Sequence, residues 1–459
     1  MDETERTSSP GPRRGTKAHA FLFVVLEAAR PTAGGARVSL AGVDALTIGR
    51  GDARVFAKPN AASRTIAIPD ARMSTTHARI VRKDGALLVE DAGSTNGTLV
   101  NGVAATDAPL RDGDVIELGQ TLFIYREIEG DLGRTPDLDG GHDATPPGLA
   151  TLDPILARRY ERLARVAAVP LPLLLLGETG TGKEVLARAV HALSKRPGPF
   201  VAVNCGAIPH GLLESHLFGH VRGAFSGALR DEAGLVRSAS FGTLLLDEIG
   251  DLPAASQAAL LRVLQEGEVT PVGSSAAIKV DVRVIGATHK PLEALVERGE
   301  FRRDLYARLA GYSFALAPLR DRKVDLGLLV ASLFASAKLD ATTNVRLHRE
   351  AARAMLRYDW PMNVRELEQC LRASSVLAEE GLITLSDLPA PIADALHDAN
   401  DDDDAPSDAD EDLKRELLVR MAEARGNVSE VARLMGKARQ QVQRWVRRFG
   451  IDPEAFRTK

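Results

Sequence analysis

The hydrophobic rhythm of the chain changes three times along its length. From Ala18 to Ile128 the apolar residues come in short runs: Ala45–Ile48, Ala78–Val81, Leu87–Val89, Thr98–Val100, Val115–Leu118 and Leu122–Tyr125. Turn formers separate them, among them Asp84-Gly85, Asn96-Gly97, Asn101-Gly102 and Asp112-Gly113-Asp114. That spacing predicts an all-β sandwich over residues 18–128. Over 149–390, apolar strands alternate with helical periodicity, as where Leu173–Leu176 is followed by Val185, Leu186, Ala189 and Val190. This predicts an α/β domain around a parallel sheet. Residues 411–459 again show helical spacing, and the three stretches between and before the domains lack apolar content. Residues 1–17 read as a disordered tail, 129–148 as a linker of Gly, Asp, Pro and Thr, and 391–410 as an acidic, solvated spacer.

Composition narrows the classes. The 459 residues suit about three domains, and a net charge of −4 excludes a uniformly basic nucleic-acid coat while leaving local basic patches open. Two cysteines, Cys205 and Cys370, cannot build a disulfide framework and fit a reducing compartment. The longest apolar runs, Phe21–Leu26 and Val166–Leu176, are too short to span a bilayer. With an acidic, polar N-terminus these features predict a cytoplasmic protein with no membrane partner.

The chemistry concentrates in the central domain. Leu173–Leu176 runs into Gly177-Glu178-Thr179-Gly180-Thr181-Gly182-Lys183-Glu184 and then a helix. Strand, glycine-rich loop and helix N-terminus together form a phosphate cradle, with backbone N–H groups turned inward and Lys183 reaching the β/γ-phosphates. Glu184 stands where a Mg²⁺-binding Ser or Thr is usual. A second apolar strand, Gly242–Leu246, ends in Asp247-Glu248. One carboxylate at such a sheet edge can hold Mg²⁺ and its neighbour can orient an attacking water. ATP and Mg²⁺ are the implied ligands.

Most of Thr151–Pro389 resembles the AAA+ domain of bacterial enhancer-binding proteins, the P-loop ATPases with a helical lid that activate sigma-54 RNA polymerase. The resemblance rests on Gly177–Glu184, Phe200–Cys205, Glu214–Gly219, Gly223–Ala228, Leu246–Gly250, Leu260–Gly267, Val282–Thr288, Phe301–Leu309, Pro318–Arg322 and Trp360–Leu367, in one order. It implies that Asp247 serves Mg²⁺ and Glu248 polarises water, with Asn204 beside Glu248 as a γ-phosphate switch. It further implies that Thr288 senses nucleotide, Arg302 and Arg308 act as arginine fingers in a neighbouring subunit, and Arg365 senses nucleotide from the lid. The assembly implied is a homo-oligomeric ring, a hexamer in action and a dimer at rest. The segment Gly223-Ala224-Phe225-Ser226-Gly227-Ala228 corresponds to the family's sigma-54 contact loop, with Ser226 in place of Thr. An aromatic between small residues suits a protruding contact. His216, Val221 and Met362 are further departures from the family's usual residues.

In the C-terminal segment Val428, Val431, Ala432, Leu434 and Met435 follow helical spacing. After Gly436-Lys437, a second helix places Val442, Val446 and Phe449 on one face and Arg439, Gln440, Gln443, Arg444 and Arg447 on others. Such a pair predicts an all-α helix-turn-helix whose Arg and Gln meet phosphates and base edges of upstream promoter DNA. The segment resembles a Fis-type DNA-binding domain. Ala438 replaces a capping Ser, and Trp445 could stack on DNA backbone or pack across a dimer.

In the N-terminal sandwich Gly49-Arg50, Ser74–His77, Gly93–Gly97, Asn101-Gly102 and Asp112–Asp114 resemble, in order and spacing, a forkhead-associated (FHA) domain. This implies binding of a phosphothreonine partner, with Arg50 and Ser74 on the phosphate, Thr75 assisting and Asn96 on the peptide backbone. A dianionic phosphate is matched by a fixed cation plus neutral donors. His77 reads as a structural hydrogen-bonder. The partner would be a phosphorylated protein or the chain's own linker at Thr135, and the input a Ser/Thr kinase. Together the residues predict a multidomain, sigma-54-dependent activator. The alternatives are an AAA+ DNA-binding regulator or repressor acting without sigma-54, and a phosphopeptide adaptor with a vestigial ATPase.

Overall fold

The computed structural model describes residues 18–133, 135–141, 148–336, 345–396 and 408–435, together with residues 442, 445, 446, 449, 451 and 456. The chain divides into two compact units, Met1–Ala393 and Asp394–Lys459.

The first unit opens with twelve strands: β1 (Ala18–Glu27), β2 (Ala36–Ser39), β3 (Ala45–Arg50), β4 (Val55–Ala57), β5 (Ser63–Ile68), β6 (Ala78–Lys83), β7 (Ala86–Asp91), β8 (Thr98–Val100), β9 (Val103–Ala104), β10 (Asp107–Pro109), β11 (Val115–Leu118) and β12 (Thr121–Glu129). With β13 (Leu138–Asp139) from the segment that follows, they form two sheets, ordered β13-β2-β1-β12-β11-β8-β9 and β10-β7-β6-β3-β5-β4. Leu22, Val24, Ile48, Ile66, Ile80, Phe123 and Tyr125 close the core between them. This is the sandwich expected from the turn spacing.

The linker differs from expectation. Leu138–Asp139 forms β13, which pairs with β2. Asp137 accepts the Ser39 amide at 2.9 Å, and Asp139 binds the Arg54 guanidinium. The half-buried Thr135 donates its hydroxyl to Leu132 O at 3.1 Å. Residues 135–141 are thus a strap bound to the sandwich, because an edge strand satisfies the backbone of β2 and the two aspartates find donors.

The α/β part carries five parallel strands, β14 (Leu173–Leu176), β15 (Phe200–Asn204), β16 (Thr243–Asp247), β19 (Arg283–Thr288) and β20 (Tyr312–Ala315), in the order β15-β16-β19-β14-β20. A short hairpin, β17 (Glu268–Val269) with β18 (Ile278–Lys279), projects between them. Seven helices flank the sheet: α1 (Pro154–Ala167), α2 (Lys183–Ser194), α3 (His210–Phe218), α4 (Gly234–Ser238), α5 (Ala254–Glu266), α6 (Leu292–Glu297) and α7 (Arg303–Leu309). Asp153 caps α1 by accepting the Ile155 and Leu156 amides. The sheet is apolar on both faces, as parallel strands between helices require. The lid follows with α8 (Leu326–Ala335), β21 (Arg346–Leu347), α9 (Arg349–Arg357), α10 (Asn363–Leu377), β22 (Leu382–Ile383) and α11 (Ala390–Asp394).

In the second unit α12 (Asp408–Glu423) and α13 (Val428–Met435) are described. Helix α12 begins inside the acidic run, where negative residues are favoured by the helix dipole. Among the described residues no helix is long and apolar enough to cross a membrane.

Candidate nucleotide site and companion sites

The phosphate loop hangs between β14 and α2. Gly177, Gly180 and Gly182 all have positive φ. At Gly180 a Cβ would lie 2.1 Å from Met362 O, so only glycine lets the lid approach the loop this closely. Lys183 is buried, and its ammonium donates to Gly177 O at 2.9 Å and Glu178 O at 3.2 Å. Burial lowers its pKa, opposed by the charges of Glu248 and Asp247. The Thr181 hydroxyl donates to Glu178 O at 2.8 Å and tightens the turn. Glu184 points to the exposed side of α2, paired with Arg188 at 2.6 Å.

Asp247 ends β16 beside Asn204 of β15 and Ala287 of β19. Burial raises its pKa, with Lys183 opposing. A half-buried carboxylate facing an ammonium is an oxygen donor suited to Mg²⁺, which takes one or two carboxylates plus phosphate oxygens. Glu248 follows at φ +51, a left-handed conformation that turns its side chain off the strand line. Its carboxylate receives His289 Nδ1 at 2.8 Å. Asn204, expected near Glu248, is the register partner of Asp247 and caps the next turn: its Oδ1 accepts the Gly206 and Ala207 amides at 3.0 and 3.2 Å. Thr288 is fully buried at the end of β19, where its carbonyl accepts the Gly177 amide at 3.2 Å and its hydroxyl the Lys290 amide at 3.0 Å.

The lid grips the loop at several points. Arg320 makes a two-pronged pair with Glu178, at 2.5 and 2.9 Å. The Asn363 side-chain amide donates to Glu178 Oε2 at 3.2 Å and Thr179 O at 3.1 Å, while its oxygen accepts the Leu319 amide at 2.8 Å. Arg322 donates to Thr181 O at 3.0 Å. The Arg320 and Asn363 bonds hold the Glu178 carboxyl down to a pKa of about 2. Arg365 lies on the same lid helix, its Cβ 3.1 Å from where a side chain at Gly180 would begin. Arg302 and Arg308 are exposed around α7. Arg302 is paired within the chain to Asp304 at 2.8 Å, and its amide donates to Gln257.

The Gly223–Ala228 segment is a closed turn on the surface. The Gly223 amide donates to Ala228 O at 2.9 Å and the Ala228 amide to Phe225 O at 3.1 Å. Gly223 and Gly227 supply positive φ, Ala228 is buried at the base, and Phe225 is 39% exposed beside His220. Ser226 is exposed at its tip.

On the sandwich, the loops expected to hold phosphothreonine come together. A Cβ at Gly49 would lie 1.9 Å from Thr75 O, so glycine admits the Ser74-Thr75 loop against β3, and the Arg50 amide donates to Ser74 O. The Ser74 hydroxyl accepts the Thr95 amide at 3.1 Å. Buried His77 accepts the Ser74 amide at Nδ1 and donates from Nε2 to Gly97 O, tying the two loops as a structural residue. Arg50, Thr75 and Asn96 are exposed, and Asn96 donates to Arg72 O at 2.7 Å.

Residues 149–315 match the family model of the sigma-54 interaction domain and residues 320–405 that of an AAA+ ATPase lid domain. The regulatory protein AtoC of Escherichia coli is 38% identical over 314 residues, 66% of this chain and 68% of AtoC. The chain belongs to the sigma-54 activator family of AAA+ proteins. The acetoin catabolism regulatory protein of Cupriavidus necator is 44% identical over 323 residues, 67% of this chain and 48% of that protein. The chain spans about half the length of the first curated relatives it matches. The solved structure of NtrX from Brucella abortus in complex with ATP is 30% identical, covering 64% of this chain and 67% of that one, with a TM-score of 0.49. Residues 46–119 match an FHA domain and residues 408–454 a homeodomain-like domain.

Arg439, Gln440, Gln443, Arg444 and Arg447, expected as DNA contacts, all lie outside the described residues. Trp445, left open between DNA stacking and a dimer contact, is buried with Leu417, Met421, Val431 and Val442 inside its own helical unit. Four partners of the nucleotide site carried no expected role: Arg320, Arg322, Asn363 and His289. The first three sit inside Pro318–Arg322 and Trp360–Leu367, so the signal was present as motif while its meaning lay in a tertiary contact.

Proposed function

We propose that this activator-family chain hydrolyses ATP in a ring of subunits and uses that energy to remodel sigma-54 RNA polymerase at promoters. The observation that carries the proposal is the exposed Phe225 turn on the same domain as Lys183, Asp247 and Glu248. Lys183 and the loop amides bind the ATP phosphates, and Glu248, set off its strand by its left-handed backbone, orients the attacking water. Mg²⁺ at Asp247 would neutralise charge across the β- and γ-phosphates. Arg302 leaves Asp304 to reach a neighbour's site and Arg308 lies beside it, so hydrolysis depends on ring assembly. Movement of the Phe225 turn then works on sigma-54, while the C-terminal helices hold upstream DNA. The FHA domain reads phosphothreonine through Arg50, Ser74, Thr75 and Asn96, which places a Ser/Thr kinase upstream. The experiment is a pull-down of purified sigma-54 in the presence of ADP and aluminium fluoride. Capture by the wild-type chain and not by Phe225→Ala is expected. Capture of neither, with ATPase intact, favours the regulator that works without sigma-54.

A further inference from the structure

Strand β1 is buried on both faces, which a free sandwich does not need. Its neighbour relations fix the geometry: Leu22 and Val24 face the sandwich core with Phe123 and Tyr125. Alternation then puts Phe21 and Phe23 on the outer face, with Ile124 opposite Phe23, and Val25 is the extra residue of a bulge that follows. All four are nonetheless buried. The lid packs against these strands, α8 on β1 and α9 on β12. A Cβ at Gly327 in α8 would lie 1.9 Å from Val25 O, so the first turn of α8 rests directly on the β1 backbone. The Leu347 amide donates to Ala28 O at 2.7 Å. On α9, Arg353 pairs with the buried Glu117 at 2.5 Å, and Arg357 donates to Asn101 O at 3.2 Å.

The same sandwich also holds the core. Arg37 donates to Leu152 O at 2.7 Å, just ahead of α1. From the other side Asp325, at the start of the lid, accepts the Leu152 amide at 2.6 Å and the Thr151 hydroxyl at 2.7 Å. Leu152 is therefore the point where sandwich, core and lid meet. A rotation of the lid against α1 strains either the Arg37 contact or the Gly327, Leu347 and Arg353 contacts, because the same sandwich makes both.

We propose that the FHA domain is a brake on the core–lid hinge, docked on it through the outer face of β1 and β12. Its phosphothreonine loops stay exposed while it is docked, so ligand and brake do not compete for one surface. They are connected: the loop that begins at Arg50 ends at Arg54, which is buried and grips Glu27 of β1, Ala33 O, Gly34 O and Asp139 of the strap. The turn at Pro31–Ala33 that Arg54 holds packs against α8. A ligand that shifts this loop pulls on the docking face itself.

The brake rests on the ATPase reading and does not require phosphothreonine recognition. The test uses the full chain, measuring steady-state ATPase and hydrogen exchange at the Leu347 amide, which reports docking. In Arg353→Glu, opposite buried Glu117, Leu347 exchange should rise at least tenfold and ATPase several-fold. The double variant Arg353→Glu, Glu117→Arg should bring both back toward wild type, and Arg357→Glu at the rim should act in the same direction more weakly. Faster exchange with unchanged or lower ATPase overturns the brake, as does unchanged exchange in both single variants. Absence of ATP hydrolysis from wild type and variants alike overturns the ATPase reading and the brake with it.

Discussion

His289 Nδ1 lies 2.8 Å from a carboxylate oxygen of Glu248, across the end of the central strands. The carboxylate proposed to orient water is thus held by the residue that follows Thr288, and Asn204 caps the turn after the neighbouring strand. Glu248→Gln should keep ATP binding and lower kcat by about 100-fold or more, the range of general-base effects. His289→Ala should lower kcat less, since the carboxylate remains, and leave nucleotide affinity intact. Equilibrium binding beside single-turnover hydrolysis checks both. Turnover at the wild-type rate by Glu248→Gln would remove Glu248 from the mechanism.

The pair of Arg320 and Glu178 is exposed, so its effect on global stability is small. Its effect on nucleotide should not be, because it ties the lid to the phosphate loop. Arg320→Ala or Glu178→Gln is expected to weaken ATP binding several-fold with little change in Tm. The swap Arg320→Glu, Glu178→Arg should recover part of the affinity. Isothermal titration with a non-hydrolysable analogue measures this.

Asp325 is fully buried, and burial pushes its pKa up to about 6. A raised carboxyl pKa means the folded chain favours the protonated form. Its stabilising contribution is therefore full below the unfolded value near 3.8 and is lost as pH rises through about 6. The change amounts to roughly 3 kcal/mol, at 1.36 kcal/mol per pKa unit. Asp325→Asn should flatten this slope, so its Tm relative to wild type should improve from pH 4 to pH 7. A constant difference across that range would contradict the assignment.

Arg50 and His77 should separate recognition from architecture. Arg50→Ala is expected to abolish phosphothreonine-peptide binding at unchanged Tm, since the side chain is exposed. His77→Ala leaves the part-buried Ser74 amide and Gly97 carbonyl without their partner and empties a buried side-chain site, at about 1–3 kcal/mol in all. It should lower Tm and weaken peptide binding together. Fluorescence polarisation with a phosphothreonine peptide and a thermal melt distinguish the two.

These features differ in how far the sequence displays them. The glycine-rich loop, the Asp247-Glu248 pair and the Gly49/Ser74 loops were legible because each demands particular residue types at fixed spacing within one turn. Glu178–Arg320 and Leu152–Asp325 were not, because each pairs segments remote in sequence and neither partner is unusual where it stands. The apolar run Phe21–Leu26 was visible but read only as too short for a bilayer. Its double-faced apolarity acquires a reason once the lid packs against it. Trp445 shows the converse: a residue expected to stack on DNA backbone or pack across a dimer fills a core.

The central claim is that ATP turnover by this chain drives sigma-54 promoter opening. Its most direct test is open-complex formation by purified sigma-54 RNA polymerase on a promoter with an upstream binding site, using the wild-type chain and Arg353→Glu. We expect open complexes that require hydrolysable ATP, increase with Arg353→Glu, and vanish in Phe225→Ala while its ATPase persists. Robust ATP hydrolysis without open complexes in either chain, with or without a phosphothreonine ligand, would contradict it.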